Sequence, residues 1–581
     1  MEEPISSDNP YSSDPVLPSL IKRLFPRSIR QEIEDDLTRL GNVLVDEIRP
    51  LSPLVHPASL VQYDQWGRRV DALHTSEGWR ELEKFAIKEG YVAIAYERKY
   101  REFSRIHMFA KTMVMTGDCH VLMCPMGMTD GATRILELCG TDLMKQQVLP
   151  KLMSRDPSSA YLSGQWMTER PGGSDLSRTE TFAVPANRVE SDLGTPYILE
   201  GFKWFSSAAE GNMTMALART GELSQGARGL SLFLVPLRLP PYSSPLSNGV
   251  QMHRLKNKVG THGVPTAELS LNSTRGWLIG PVNQGIKTIA PVLNITRIHS
   301  AIHLVGSLQR CVAIARSYAT VRSVNGGTTL LRDVPLHMAS IAEASLLYRA
   351  LVHVTFGAIE LLGKSEVGAA SADEEARLRL LTPTIKAYAS QKACPAMEEM
   401  MGALGGLGYM EEVGIGRRVR CMRTLSYHSS SSCRFRLIRD SMVERIWEGT
   451  VNILSLDLIR ATKEQKTVDS FWAKSLITNA APQFSGRALS TLRGALEKSR
   501  LLNYFASIAC ALYLLEHAQW SAGNHEPTRD IDAEAFRRWV EEGDLQMNEQ
   551  AIAVAMKDGG LRVNLNLEMV YGPEPPFSSR L

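Results

Sequence analysis

What most constrains the fold of this chain is the order of its sequence textures. Residues 1–160 read as mainly helical. Trp79–Lys99 is a charged amphipathic stretch, and Thr133–Leu149 repeats apolar residues at helical spacing. Pro150 and then Asp156–Pro157 close that region. From 161 the pattern shortens. Tyr197–Leu199, Thr214–Ala218, Leu230–Pro236 and Ala267–Leu271 are runs of β-formers, separated by Gly201, Gly221, Gly229 and Pro240–Pro241. This reads as a small antiparallel β domain. Around Pro291 the helical period returns and holds to about Ala461, with long stretches at Ile298–Arg322 and Leu336–Leu362. The remainder is helical at least to Leu515 and then more polar. Helices, a β module and helices again do not make an alternating βαβ chain, so a doubly wound dinucleotide fold is not expected. The expected division is 1–160 helical, 161–290 β, 291–463 helical and 464–581 a further helical domain. A length of 581 residues accommodates about three or four domains.

Composition narrows the class. Apolar residues make up 44% and charged residues 22%, as in a globular chain with packed cores. No two of the eight cysteines form a C-x-x-C pair, so neither structural zinc nor thioredoxin-type chemistry has support. Scattered thiols read as small buried residues of a reducing compartment. The N-terminus MEEPISSDNPYSSD is acidic and polar, unlike a secretory signal. The most apolar helix-like run, Leu501–Leu515, is too short to span a bilayer, so no membrane span is expected. The final Ser579-Arg580-Leu581 looks like the peroxisomal address S-K-L. It predicts a peroxisomal protein that meets the import receptor.

Several segments carry candidate chemistry. Gly357–Ser365 has five residues between its glycines where a phosphate loop has four, and it reads as a helix end capped by Gly363. Gly402–Tyr409 is glycine-rich but has no preceding strand. It reads as an interhelical loop or a backbone that approaches a ligand closely. In Met167–Asp175, Gly172 and Gly173 precede Ser174, a pattern that offers N–H groups and a hydroxyl to a phosphate or a ring edge, or makes an ordinary turn. Lys203–Ser207 sets Trp204 and Phe205 beside Ser206 and Ser207, suited to covering a flat ring or to packing on a core. Ile446–Thr450 places Glu448 between Trp447 and Gly449. Apolar walls raise a carboxyl pKa, and such a base suits removal of a weakly acidic C–H proton. The plain alternative is a Glu beside a helix N-terminus. Residues 417–435, within RRVRCMRTLSYHSSSSCRF, interrupt regular helical sequence. They read as a surface loop or as a translated intron.

Taken together and in order, these segments resemble the acyl-CoA dehydrogenase family, and most of all its AidB-like, adaptive-response branch. The likeness rests on YDQWGRRVD (63–71), MTERPGGSD (167–175), KWFSS (203–207), RLKNKVGTHGVPTAE (254–268) and IWEGTVNI (446–453), and it covers about residues 50–460. It implies a mainly α fold: a helical domain, a central β-barrel-like domain and a four-helix domain, with FAD between the last two and an extra C-terminal helical domain. It implies further that Thr168 and the Met167 backbone meet the flavin edge and that Ser174 lies by the diphosphate. Phe205 would pack by the isoalloxazine, Ser206 would be among the cofactor-binding residues, and Ser207 would place its hydroxyl on the flavin N5 side. Ile446, Trp447, Gly449 and Thr450 would line the cofactor, with Glu448 as base. No metal is implied. The implied reaction is α,β-dehydrogenation of an acyl-CoA thioester in fatty-acid or branched-acid metabolism or in a biosynthetic pathway. Oxygen or an electron-transfer protein would be the acceptor, and the enzyme a homodimer or homotetramer. One departure stands out: the family's R-x-x-F-G element appears as Arg322-Ser-Val-Asn325-Gly326, without the Phe.

The branch also suggests another class, a DNA-associated protective flavoprotein, and the odd segment suggests a third, a scaffold without activity. Net charge weighs on the former. The chain carries +3, yet residues 464–581 hold 12 Lys/Arg against 15 Asp/Glu, or −3. An acidic domain lacks the counterion release that drives binding to a phosphate backbone.

Overall fold

The computed structural model describes residues 8–186, 193–239, 247–410, 437–462, 502–547 and Met569. The segment 417–435 and the terminal tripeptide lie outside the described residues.

The N-terminal part holds helices α1 (Leu17–Leu24), α2 (Arg27–Val43), α3 (Glu77–Lys88), α4 (Ala93–Glu97), α5 (Ser104–Thr116), α6 (Met123–Cys139), α7 (Asp142–Gln147) and α8 (Leu149–Leu152). Ser76 starts α3 by accepting from Trp79 N–H. Before α3 lies a hairpin, β1 (Ser59–Tyr63) and β2 (Arg69–His74), where the sequence was read as helical. Its turn is built by Asp64, whose Oδ1 accepts from Trp66 N at 2.8 Å and Arg68 N at 2.9 Å, with Gly67 at φ +75°.

The β module comprises β3 (Ser163–Trp166), β4 (Phe182–Pro185), β5 (Pro196–Ser207), β6 (Met213–Arg219), β7 (Leu230–Pro236), β8 (Val250–Leu255) and β9 (Thr266–Ile279). Strands β4, β5, β9, β7 and β6 pair in a closed ring, with β3 added to β6 and β8 to β9. The expected purely antiparallel pattern is corrected: β3 runs parallel to β6, and β4 meets β6 in a parallel bridge. Chain leaving β3 forms β4 and β5 before it returns as β6, and a connection of that length permits parallel pairing. The alternation of side chains explains the apolar runs. In β6 and β7, Met213, Met215, Leu217, Leu232 and Leu234 pack outward with α6, while Ala216, Ala218, Phe233 and Val235 fill the barrel.

Helix α9 (Gly285–Val321) follows and contains Pro291, so the helical region opens earlier than the sequence pattern placed it. Its 37 residues run about 55 Å. The short strands β10 (Ser323–Val324) and β11 (Thr329–Leu330) flank the Asn325-Gly326-Gly327 turn. Then come α10 (Pro335–Glu366), α11 (Ala372–Gly402), α12 (Leu437–Met442) and α13 (Val451–Ala461). Gly363 does not cap a helix. It lies inside α10, and the left-handed glycine past the end is Gly368 at φ +69°. A Cβ at Gly363 would collide with the backbone oxygen of Glu102, so this glycine serves close helix packing instead. Ser371 and Glu374 form a capping box at the start of α11. Helix α10 is long and apolar enough to cross a membrane, but 78% of its most apolar window is buried inside the protein, as in a core helix. Helices α14 (Leu502–Gly523) and α15 (Arg529–Glu541) pack on α10 and α11, and one core joins them to the N-terminal helices.

Candidate functional site

Two sequence segments meet at the rim of the barrel because a buried ion pair ties them together. Glu169 follows Met167–Thr168, and Lys203 precedes Trp204–Ser207. Lys203 Nζ donates to Glu169 Oε1 at 2.6 Å and to Leu217 O at 2.8 Å. Glu169 also accepts from Glu180 N at 2.6 Å. The adjacent ammonium and these donors hold its carboxyl below the usual range against the opposing effect of burial. Trp204 N donates to Thr168 O at 3.0 Å, which sets the two segments side by side.

The result is a platform. Phe205 is 54% exposed, a large apolar side chain left facing outward. Ser207 Oγ lies 2.9 Å from Thr266 Oγ1, and Thr266 Oγ1 accepts from Lys258 Nζ at 3.0 Å. Burial pushes the Lys258 ammonium down to about 8. Met167 and Thr168 are half-buried, and Ser174 is exposed. A Cβ at Gly173 would sit 2.9 Å from Thr168 Oγ1, so glycine is what keeps this turn close to the hydroxyl. Ser206 is different: it is fully buried and its Oγ has no partner. Its hydroxyl therefore does not share the outward face of Phe205, and what Ser206 presents toward that face is its backbone.

Glu448 comes from the other side, between the turn after α12 and the start of α13. Residue Thr450 is the N-cap of α13, so Glu448 does stand beside a helix N-terminus. Its backbone is left-handed at φ +56°, followed by Gly449 at φ +99°. One face of α9 holds this turn. Thr296 Oγ1 donates to Glu448 Oε2 at 2.5 Å. Arg297 Nε lies 3.4 Å from Glu448 O, and its Nη2 pairs with Asp457 Oδ2 at 2.7 Å. One and two turns on, Ser300 Oγ and His303 Nδ1 meet the fully buried Glu444, the latter at 2.6 Å. Trp447 Nε1 donates to Ser300 Oγ at 3.1 Å and to Glu444. From α11, Lys386 Nζ donates at 2.6 Å to both Trp447 O and Gly449 O. Burial raises the Glu448 carboxyl, and the Thr296 hydroxyl, Arg297 and Lys386 pull it back only in part. Ile446 is 65% exposed beside it.

The loop between β8 and β9 joins the two halves. Thr261 N donates to Asp440 Oδ1 of α12, and the same loop supplies Lys258 to Thr266. The structure thus brings Thr168, Phe205 and Ser207 together on the barrel and Trp447–Thr450 together on the helices. Sequence reasoning missed Thr296, Arg297, Lys386 and Lys258. One signal was present: Lys386 is a lysine inside Leu380–Ser390, a helical stretch buried throughout.

The arrangement fits FAD. An outward apolar ring flanked by hydroxyl donors suits a flat heteroaromatic with acceptor edges, and Gly172–Gly173 keep backbone next to the Thr168 hydroxyl.

Family models match along the chain: the adaptive response protein AidB N-terminal domain at 1–157, the acyl-CoA dehydrogenase middle domain at 164–274 and its C-terminal domain at 283–462. Acyl-CoA dehydrogenase family member 11 of Caenorhabditis elegans is 38% identical over 472 residues, 79% of this chain and 72% of that protein. The chain belongs to the acyl-CoA dehydrogenase family. Members are FAD-dependent oxidoreductases. The putative acyl-CoA dehydrogenase AidB of Escherichia coli is 26% identical over 547 residues, 89% of this chain and 90% of its own. The crystal structure of C. elegans ACDH-11 in complex with C11-CoA superposes with a TM-score of 0.81 at 33% identity, covering 92% of this chain and 91% of that one.

Proposed function

We propose that this acyl-CoA dehydrogenase family member removes the α and β hydrogens of an acyl-CoA thioester, with Glu448 as the base. The observation that carries this is the Glu448 turn. A partly buried carboxylate with a raised pKa, oriented by the Thr296 hydroxyl, faces the site from a backbone whose neighbouring N–H groups have no partner among the described residues. Raised affinity for a proton makes Glu448 a better acceptor of a weakly acidic α-proton near neutral pH. The N–H groups of that turn suit the thioester oxygen as negative charge develops there. Thr168, Ser207, Phe205 and the Met167 and Ser206 backbones would hold the flavin, Ser174 its diphosphate, and Ile446, Gly449 and Thr450 its remaining edge. Bound there, FAD supplies the acceptor for the β-hydrogen and its electron pair.

An acyl-CoA substrate is supported by the C11-CoA complex of the C. elegans relative. Ser579-Arg580-Leu581 supports a peroxisomal location, where oxygen is at hand as acceptor and would make the enzyme an oxidase. A homodimer or homotetramer is proposed on the family's pattern. Glu448→Gln keeps shape and removes the base. The expected result is unchanged FAD content and turnover lowered by about 10³-fold or more. Turnover near the wild-type rate in that variant contradicts the reading.

A further inference from the structure

Lys386 is a charge that the reaction as written does not use. It is fully buried on α11, far along the chain from the turn it touches. Burying an ammonium is costly unless strong partners compensate. Its partners are two backbone carbonyls, Trp447 O and Gly449 O, each at 2.6 Å. Neutral carbonyls are modest compensation, and burial indeed pushes Lys386 down to about 8, with Glu444 and Glu448 opposing the fall.

The geometry of the peptide bond says what such an arrangement does. In a trans peptide the C=O of one residue and the N–H of the next point in opposite directions within one plane. The N–H opposite Trp447 O belongs to Glu448, and the N–H opposite Gly449 O belongs to Thr450. Between them, Glu448 O faces Arg297 Nε at 3.4 Å, and the N–H opposite it belongs to Gly449. Three successive peptide units thus have a cation at the oxygen end. Their N–H ends have no hydrogen-bond partner among the described residues. Glu448 and Gly449 also have positive φ, at +56° and +99°, and successive N–H groups around left-handed residues form anion-binding concavities. A cation at the carbonyl end polarises the unit and strengthens its N–H as a donor.

We infer that Lys386 is a positioning residue for the oxyanion donors of this site: through the Trp447 and Gly449 carbonyls it fixes the Glu448 turn and polarises the N–H groups that would face the thioester oxygen. The inference rests on the reading that Glu448 is the base. It assigns Lys386 a part in the chemical step without contact to substrate or flavin. The balance of the step is unchanged: the α-proton goes to Glu448, and Lys386 neither gains nor loses a proton.

The test uses the FAD-loaded enzyme and acetoacetyl-CoA, a thioester whose acidic C2–H ionises to an enolate with its own absorbance. The ratio of bound enolate to bound keto form reads stabilisation of negative charge on the thioester oxygen directly. Lys386→Met removes the charge, and Lys386→Gln removes it while keeping a donor for one carbonyl, which guards against loss of the fold. Lys386→Arg keeps the charge. In FAD-loaded Lys386→Gln and Lys386→Met the enolate ratio and kcat for acyl-CoA are expected to fall by about 10-fold or more, with KM within about threefold of wild type. Lys386→Arg recovers most of the enolate. An enolate ratio in FAD-loaded Lys386→Gln within about twofold of wild type overturns the inference. Failure of the underlying reading looks different: Glu448→Gln would then turn over normally, whatever the Lys386 variants do.

Discussion

At the scale of single residues, Glu448 is pulled two ways. Burial raises its carboxyl, and the Thr296 hydroxyl lowers it by donating to the ionised form. A hydrogen bond to a charged group contributes about 1.5–3 kcal/mol, and about 1.4 kcal/mol is one pH unit. Thr296→Val removes the hydroxyl and keeps the shape, so Glu448 should ionise at a higher pH than in the wild type. A base works only when ionised. The acid limb of kcat against pH is therefore expected to move to higher pH, with the plateau kept; an unmoved limb would mean that Thr296 does not bond the working base. How such residues announce themselves in sequence differs. Trp447-Glu448-Gly449-Thr450 is readable because its parts are contiguous. Thr296, Arg297 and Lys386 reach the same turn from 61 to 152 residues away, and no local period marks such partners.

At the scale of elements, the barrel depends on the Glu169–Lys203 pair. It joins the segment that follows β3 to the end of β5, the two parts of the proposed flavin platform, and both side chains are buried. Lys203→Met leaves the Glu169 carboxylate uncompensated in the interior, which costs about 3–5 kcal/mol. Calorimetry should show a lowered Tm. Adding Glu169→Leu should recover much of the loss, and no recovery in the double variant contradicts the explanation. A second contact works at the junction of α10 and α14, where the buried rings of His353 and His517 lie 4.3 Å apart. Burial comes first in lowering both. His517 falls to about 3 with Arg23 and Arg349 adding, and His353 falls well below its usual range with His517, Arg23 and Arg349 adding. Asp532 Oδ2 stands 3.6 Å from His517 Nε2, and Ser19 Oγ at 3.4 Å. The folded state keeps both rings neutral, while the unfolded chain takes up protons below about pH 6.5. Stability is thus full above about pH 6.5 and declines below it, by up to about 1.4 kcal/mol per ring per pH unit. His517→Phe is expected to flatten the fall of Tm between about pH 6.5 and 5; an unchanged slope would show that these rings do not govern it. The long helices and the strand runs were legible because their apolar spacing is strict. The hairpin of Ser59–His74 was not, since β1 is largely exposed and presents no apolar alternation. Gly363 misled for a related reason: glycine ends helices and also lets them approach, and only the neighbour across the contact tells which.

At the scale of the whole molecule, helix–barrel–helix order lets the β8–β9 loop tie the barrel to α12, the helix that leads into the Glu448 turn. That order was readable because texture changes over tens of residues. Parallel pairing of β3 with β6 was not, because it depends on what the intervening chain does. Charge is distributed unevenly: residues 464–581 carry −3, so the rest carries +6. A mildly basic body beside an acidic C-terminal part suits a phosphate-bearing thioester better than a duplex. No salt-sensitive shift of duplex DNA is expected at physiological ionic strength, and a clear shift would reopen the DNA-associated reading.

The central claim is chemical, so the most direct measurement is the visible spectrum of the purified protein titrated anaerobically with a panel of acyl-CoA thioesters. The expected result is a yellow protein whose flavin absorbance bleaches with at least one member of the panel and does not bleach in Glu448→Gln. A protein that binds FAD yet bleaches with none of them, or bleaches equally well without Glu448, contradicts the account.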